Sequence, residues 1–437
     1  MLIFSNFRKN HIEKVGYYLF LIGIFFLCSS LFLGALFLLP SMLIGGILQT
    51  KEKNFFRDRW NCAFFSCGVL IILNGLLQKF FLKNNFEDIW NTDLTIIGMV
   101  NWIPFFWLFW TFQYYLNSSL KRKHFVLCLV FGTFPLLISG FGQYFFNWHG
   151  PFTTFNNLII WYQRPIVNPG GLSGLFSNQN YAGSWLNFVW PFCLALIFEK
   201  SLNKIKKSFI IFFLFSIGLA TFLTYSRNAW AGLFIALPIV IGGESFIWLT
   251  PFLLIGIILF IYFLTKTFSS ETFELFKNFL PEKILMEFSE EGYEGLDVTR
   301  LEILKSALEI INIRPFIGIG AASFSAIYAF ETSFYKGHSH NLLTELAISY
   351  GIPVTVIFFL SVLLLLLKSG QIIFSKNSKL NNNNIIDRAF WSSIFFFFLS
   401  QLLDIQYFDG KISILAWCLL AGIKNILDES STLISKN

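Results

Sequence analysis

The sequence predicts an all-α, polytopic integral membrane protein with about twelve transmembrane helices and a large helical loop on the non-cytoplasmic side. Three observations carry this expectation. First, the 437 residues are 55% hydrophobic and only 13% charged, with 58 Phe and a mean hydropathy of +0.63. That is more apolar surface than a soluble core can hide. Second, the apolar residues fall into long runs, the first of which, residues 15–48, contains no charged residue, His, Asn or Gln. Third, basic residues gather in alternate connections between the runs.

Taken in order, residues 15–48 exceed the roughly 20 residues that one span needs, so two closely spaced helices are expected at 15–31 and 33–48. The basic start, Arg8, Lys9 and Lys14, resembles the front of a signal peptide. The run behind it is too long for that and further spans follow, so the segment is expected to be retained. The other spans are placed at 60–82, 94–116, 124–146, 181–198, 208–225, 228–241, 246–265, 343–367, 389–403 and 411–424. With the N-terminus in the cytoplasm, the inner connections hold Lys51, Lys53, Arg57 and Arg59, then Lys121, Arg122 and Lys123, then Lys200, Lys204, Lys206 and Lys207. The short outer connections hold few, which is the positive-inside pattern and puts both termini in the cytoplasm. All six cysteines lie in apolar segments without CxxC spacing, so neither a disulfide nor a zinc site is implied.

This orientation leaves two long loops outside, 147–180 and 266–342, and loops of that length are uncommon unless they work. Residues 271–290 have the amphipathic character of a helix lying on the membrane surface. From 297 to 313 the apolar residues Leu301, Ile303, Leu304, Ala307, Leu308, Ile310 and Ile311 recur at helical spacing, with Asp297 as N-cap and Pro315 ending the run. Arg300 points with this apolar face rather than with Glu302, Lys305, Glu309 and Asn312 opposite. It also occupies the first turn, where the helix dipole disfavours a cation, so something negative is expected beside it. A snorkelling side chain, or an ion pair with Glu294 or Asp297, would answer equally well.

Arg227 is a second unusual cation, in the turn Thr224-Tyr225-Ser226-Arg227-Asn228-Ala229-Trp230 between an outward-going and an inward-going helix. Ser226 suits the N-cap of the latter. A guanidinium beside unpaired N–H groups at a helix start is a natural phosphate anchor, although a topological anchor at the interface is the plainer reading. Arg164 and Arg314, each before a proline, are weaker candidates and could be ordinary solvated charges. His338 and His340 stand together in Gly337-His338-Ser339-His340-Asn341, ahead of a helix, where a His can serve as general base. The pair could also hold a metal, but HxH without a third ligand is a weak signal, and no metal or other cofactor is expected.

Gly174-Leu175-Phe176-Ser177-Asn178-Gln179-Asn180-Tyr181-Ala182 resembles the loop and helix start of the O-antigen ligase and polymerase superfamily, with Gln179 in place of the usual proline. Thr224 to Trp230 resembles its Thr-x-Ser-Arg turn. Asp297 to Arg300, Arg314-Pro315-Phe316-Ile317-Gly318-Ile319-Gly320, and His338 to Asn341 followed by Glu345 and Gly351-Ile352-Pro353 resemble the rest of its signature, in order. The resemblance implies a metal-independent, inverting glycosyltransferase of the bacterial inner membrane. Its donor would be an undecaprenyl-diphosphate-linked glycan and its acceptor a lipid A-core or growing glycan, met on the periplasmic side. By position, Arg227 and Arg300 match the arginines held to bind the diphosphate and His340 the histidine that activates the acceptor hydroxyl. His338, Asn341, Arg164 and Arg314 are further substrate-binding candidates.

The domain expectation is an N-terminal helical part over 1–146, a ligase-like core over 147–353 with both long loops, and C-terminal helices and a cytoplasmic tail over 354–437. Membrane lipids are expected partners and nucleic acid is not. Some superfamily members have been labelled inorganic-carbon transporters, so carriage of bicarbonate or another anion is the alternative. Transporters usually carry ionisable residues or broken helices at mid-membrane, and the spans here are almost free of charge.

Overall fold

The computed structural model describes residues 2–52, 55–81, 89–167, 170–199, 202–245, 300–375 and 384–434, with a few positions between 247 and 254. Its helices are α1 (Leu2–Leu27), α2 (Leu31–Glu52), α3 (Arg59–Phe80), α4 (Asp93–Gly98), α5 (Ile103–Phe112), α6 (Ser119–Gly132), α7 (Phe134–Phe146), α8 (Gln179–Ile197), α9 (Lys204–Leu223) and α10 (Arg227–Val240). After the gap come α11 (Arg300–Ile313), α12 (Ser323–Thr332), α13 (Leu342–Tyr350), α14 (Ile352–Ile373), α15 (Asn384–Ser400) and α16 (Gly410–Ile434). The protein is an all-α polytopic membrane protein, and seven of the described helical segments are long and apolar enough to cross a membrane. Each expected span except 246–265 falls on one observed helix or on two in succession, with 94–116 divided between α4 and α5 and 124–146 between α6 and α7. That span, residues 271–290, Glu294 and Asp297 lie wholly or almost wholly outside the described residues.

Helices that are apolar all round bury one face inside the bundle and leave the rest to lipid. Phe20, Phe64, Phe109, Trp185, Phe358 and Trp417 are buried in one continuous core, while Leu36, Leu43, Phe215, Val356 and Leu363 face outward. At one end of the bundle Arg122, which is 1% exposed, bonds Asp387 and Glu429, tying the starts of α6 and α15 to the end of α16. Removing one partner of such a buried cluster costs about 3–5 kcal/mol, though the intact cluster contributes little net. The opposite end carries the α15–α16 turn. All six cysteines are free.

Three details differ from the sequence-based expectations. The span at 343–367 is two helices, because Gly351 at φ 90° breaks α13 from α14. A short antiparallel hairpin, β1 (Phe152–Thr154) with β2 (Ile159–Trp161), interrupts the 147–180 loop. β-Branched residues on either side of Asn156-Asn157 favour that pairing. In α11 the buried face is Ile303, Ala307, Ile310 and Ile311, whereas Leu301 and Leu308 are exposed. Only the first stripe is covered, packing in one cluster with Phe324, Ile327 and Tyr328 of α12 and Ala347 and Ile348 of α13.

Gly351 is built into a tight crossing. Ile352 N–H donates to the Pro315 carbonyl, Ile319 N–H to that of Ile348, and a Cβ on Gly351 would lie 2.2 Å from the Phe316 carbonyl oxygen. Gly351→Ala is therefore expected to destabilise this lobe by about 2–4 kcal/mol, through backbone strain and overlap that no side-chain rotation relieves. Thermal unfolding in detergent should show a lowered midpoint, and an unchanged one would contradict the packing described.

Candidate active site

The last turn of α15 and the residues after it form a hub. Ser400, Leu402 and Leu403 turn their carbonyls outward, and Asp404 follows. The hub is held by Gln401, whose side-chain oxygen accepts from the N–H groups of Gln406 and Tyr407. Four separate pieces of chain dock on it, each at or near a helix start.

Three of those starts are capped by the sequence itself. Asn178 accepts from Asn180 N–H at the head of α8, Ser226 from Ala229 N–H at α10, and Asn341 from Leu343 and Thr344 N–H at α13. Such caps satisfy donors that a helix start leaves open and fix the direction of entry. From these starts Asn180 donates to Asp404 Oδ2 at 3.0 Å, Asn228 to the Ser400 carbonyl at 3.5 Å, and Asn341 to the Leu402 carbonyl at 3.1 Å. The fourth piece is the start of α11, from which Arg300 donates to the Leu403 carbonyl at 2.7 Å.

At the centre, His340 Nδ1 lies 2.8 Å from Asp404 Oδ1. Burial works against the Asp404 charge, but the hydrogen bond from His340, together with the Arg300 guanidinium nearby, outweighs it and holds the carboxyl below its usual range. An ionised Asp404 can only accept, so Nδ1 carries the proton and Nε2 of a neutral His340 is left as the basic nitrogen. His338 is arranged differently. Its Nδ1 accepts the His340 backbone N–H at 3.1 Å, which puts the ring proton of a neutral His338 on Nε2. Burial first, then the neighbouring His340, pushes the His338 pKa down to about 4, so it stays neutral at ordinary pH. His340 sits at φ 55°, a left-handed conformation that costs a non-glycine residue roughly 1 kcal/mol or more and is common where a site over-determines its backbone.

Arg300 is exposed at the end of the α11 stripe and donates to the hub, rather than lying buried with the apolar residues. Arg227 opens α10 and is exposed, next to the Asn228 that docks on Ser400. Arg314 stands at the other end of α11 from Arg300, about 20 Å along the axis, so the fold does not bring it to this cluster. Arg164 is exposed near the base of the hairpin, where its carbonyl accepts from Gln143. Asp404 and Gln406 were not singled out in the sequence; the polar tract Ser400-Gln401-Leu402-Leu403-Asp404-Ile405-Gln406 between two apolar runs was the available signal. Asp404 also supplies the third ligand type that the HxH pair lacks in sequence, with ligand atoms of His338, His340 and Asp404 all within 4.8 Å of one another. The nearby Arg300 charge disfavours a divalent cation there.

Residues 210–359 match the family model described as O-antigen ligase. Over that stretch the chain is similar to O-antigen ligases. The matched stretch carries Arg227, Arg300, Arg314, His338, His340 and Asn341, while Asn180, Asp404 and Gln406 lie outside it. No curated protein matches the chain.

Proposed function

We propose that the protein transfers a glycan from a polyprenyl diphosphate carrier to a sugar hydroxyl at the hub end of the bundle, on the periplasmic side of a bacterial inner membrane. The observation that carries this reading is the convergence of an oriented imidazole–carboxylate pair and a guanidinium on one turn, beside a second helix start that bears Arg227. A transferase acting on a diphosphate-linked sugar needs just these two kinds of group, a base for the incoming hydroxyl and fixed positive charge for the departing diphosphate.

In the proposed step the acceptor oxygen attacks the anomeric carbon while its proton passes to His340 Nε2. The bond from that carbon to the phosphate oxygen breaks, and the electron pair leaves with the polyprenyl diphosphate. A single displacement inverts the anomeric centre. Asp404 stabilises the imidazolium that forms, as a buried carboxylate does for any oriented histidine base. Arg300 and Arg227 neutralise charge building on the leaving group, a role in which guanidinium is suited to phosphate oxygens and no metal is required. His338, neutral and with its Nε2–H outward from the backbone contact, and Asn341 would orient the sugar or diphosphate.

A deletion strain whose surface polysaccharide is resolved on a gel tests the reading. Loss of all capped lipopolysaccharide would assign a ligase, and caps of a single repeat unit would assign a polymerase. An unchanged ladder, above all one accompanied by impaired bicarbonate uptake, would overturn the proposal.

A further inference from the structure

The loop that follows α7 has an unusual composition. Residues 125–163 contain no Asp, Glu, Lys or Arg, so the charge-free stretch runs on past the end of α7 and through both strands of the hairpin. Its large apolar side chains are not folded inward. Phe146 is 72% exposed, Phe155 66%, Leu158 62% and Tyr162 59%, with Trp148 and Phe152 also open. An apolar patch of this extent on a water-facing loop marks an interaction surface.

The hairpin has a fixed attachment and a fixed side. Ile159 is buried, and Trp161 Nε1 donates to the Ser29 carbonyl in the corner between α1 and α2. Gln163 bonds Ser139 of α7 and the Trp148 carbonyl, and Trp148 itself lies over Gly142 of α7. The hairpin is thus held at the hub end, since the neighbouring Cys28 carbonyl accepts from Lys411 at the start of α16. It is fastened to the flank of α7 and not to the hub itself. Along that flank Phe134, Ile138 and Phe145 form one exposed stripe at helical spacing, the face a spanning helix gives to lipid. Phe145 leads directly into Phe146, whose ring lies 6.2 Å from that of Trp148, and so into the hairpin.

We propose that this hairpin is a membrane-interface anchor, seated at the boundary between headgroups and acyl chains of the leaflet on the hub side. The continuity of its apolar surface with the lipid-facing stripe of α7 names lipid as the occupant. Its depth follows from its backbone: a two-stranded hairpin has unpaired edge N–H and C=O groups, which hydrocarbon cannot satisfy, whereas the headgroup region can. Thr153, Asn156 and Asn157 supply polar groups at that level, and Trp148, Trp161 and Tyr162 are the residue types enriched there. Phe155, Asn156 and Asn157 all have positive φ, a tip strained for Phe that presents its ring outward. The inference does not depend on the proposed chemistry.

Spin labels test it. In full-length protein carrying Cys62→Ser and Cys128→Ser, which removes the two cysteines that are not fully buried, labels are placed singly at Phe155→Cys, Leu158→Cys and Tyr162→Cys. Phe145→Cys serves as the lipid reference and Ser333→Cys as the aqueous one. Each variant is first checked for wild-type elution on size exclusion, then reconstituted in vesicles of phosphatidylethanolamine and phosphatidylglycerol. The expected result is loss of collision with a water-soluble nickel chelate and retained collision with oxygen at Phe155 and Leu158, as at Phe145, with Tyr162 intermediate. Nickel accessibility at Phe155 and Leu158 equal to that at Ser333 would overturn the proposal by placing the hairpin in water. Labels shielded from both reagents would overturn it too, in favour of contact with a second copy of the chain.

Discussion

His340→Ala is expected to lower glycan transfer by about 10²–10⁴-fold, the usual contribution of a positioned general base. The assay is transfer in proteoliposomes from a lipid-diphosphate-linked donor, with size exclusion to confirm that the protein is intact. The prediction has internal structure, because the two histidines are held in opposite tautomers. His340 faces an ionised Asp404 through Nδ1 and keeps Nε2 basic, while His338 uses Nδ1 to accept the His340 backbone N–H. His338→Ala should therefore cost less than His340→Ala. Asp404→Asn should cost about 10²-fold or more, since an amide in place of the carboxylate neither stabilises imidazolium nor enforces the tautomer. Transfer by His340→Ala within about tenfold of wild type would remove the general-base assignment.

Arg300→Ala is expected to reduce turnover by about 10²–10³-fold, the range found when a preorganised group facing developing charge is removed. Arg300 is exposed and donates to the Leu403 carbonyl from the surface, so the fold should survive the change. Lysine should rescue poorly, since an ammonium cannot bond the Leu403 carbonyl and two phosphate oxygens in one plane. Arg227→Ala should behave alike. If both guanidiniums act on one diphosphate, the double variant should fall short of the product of the single losses, as residues working as a unit do. Normal transfer by Arg300→Ala would end the diphosphate assignment, and strictly multiplicative losses would place the two arginines at separate tasks.

Much of the fold was legible because membrane helices are written in local signals. Run length sets a span and basic flanks suggest its orientation. A Ser, Asn or Gly at a boundary marks where a helix starts or breaks. Ser226 is a cap expected from the sequence, Asn178 and Asn341 are caps that the structure adds, and α11 follows its own periodicity. Gly351 was equally visible as a glycine before Ile352-Pro353, yet its break was hidden, because the need for it comes from the Phe316 carbonyl pressed against it. The buried stripe of α11 was drawn too wide for a related reason: periodicity names a face, but the partner decides how much of it is covered.

The sequence by itself determined the class of the protein, the places where its helices begin, and which cations and imidazoles were out of keeping with their surroundings. These are properties of composition and of contacts between near neighbours. Only the tertiary structure decided which of those residues come together. Asp404 is 64 positions from His340 and 224 from Asn180, and the polar tract around it marks a helix end without naming its partners. It becomes the carboxylate partner of His340 because α8, α11, α13 and α15 close at one end of the bundle, where the hydrogen bond from His340 and the nearby Arg300 keep its charge against burial.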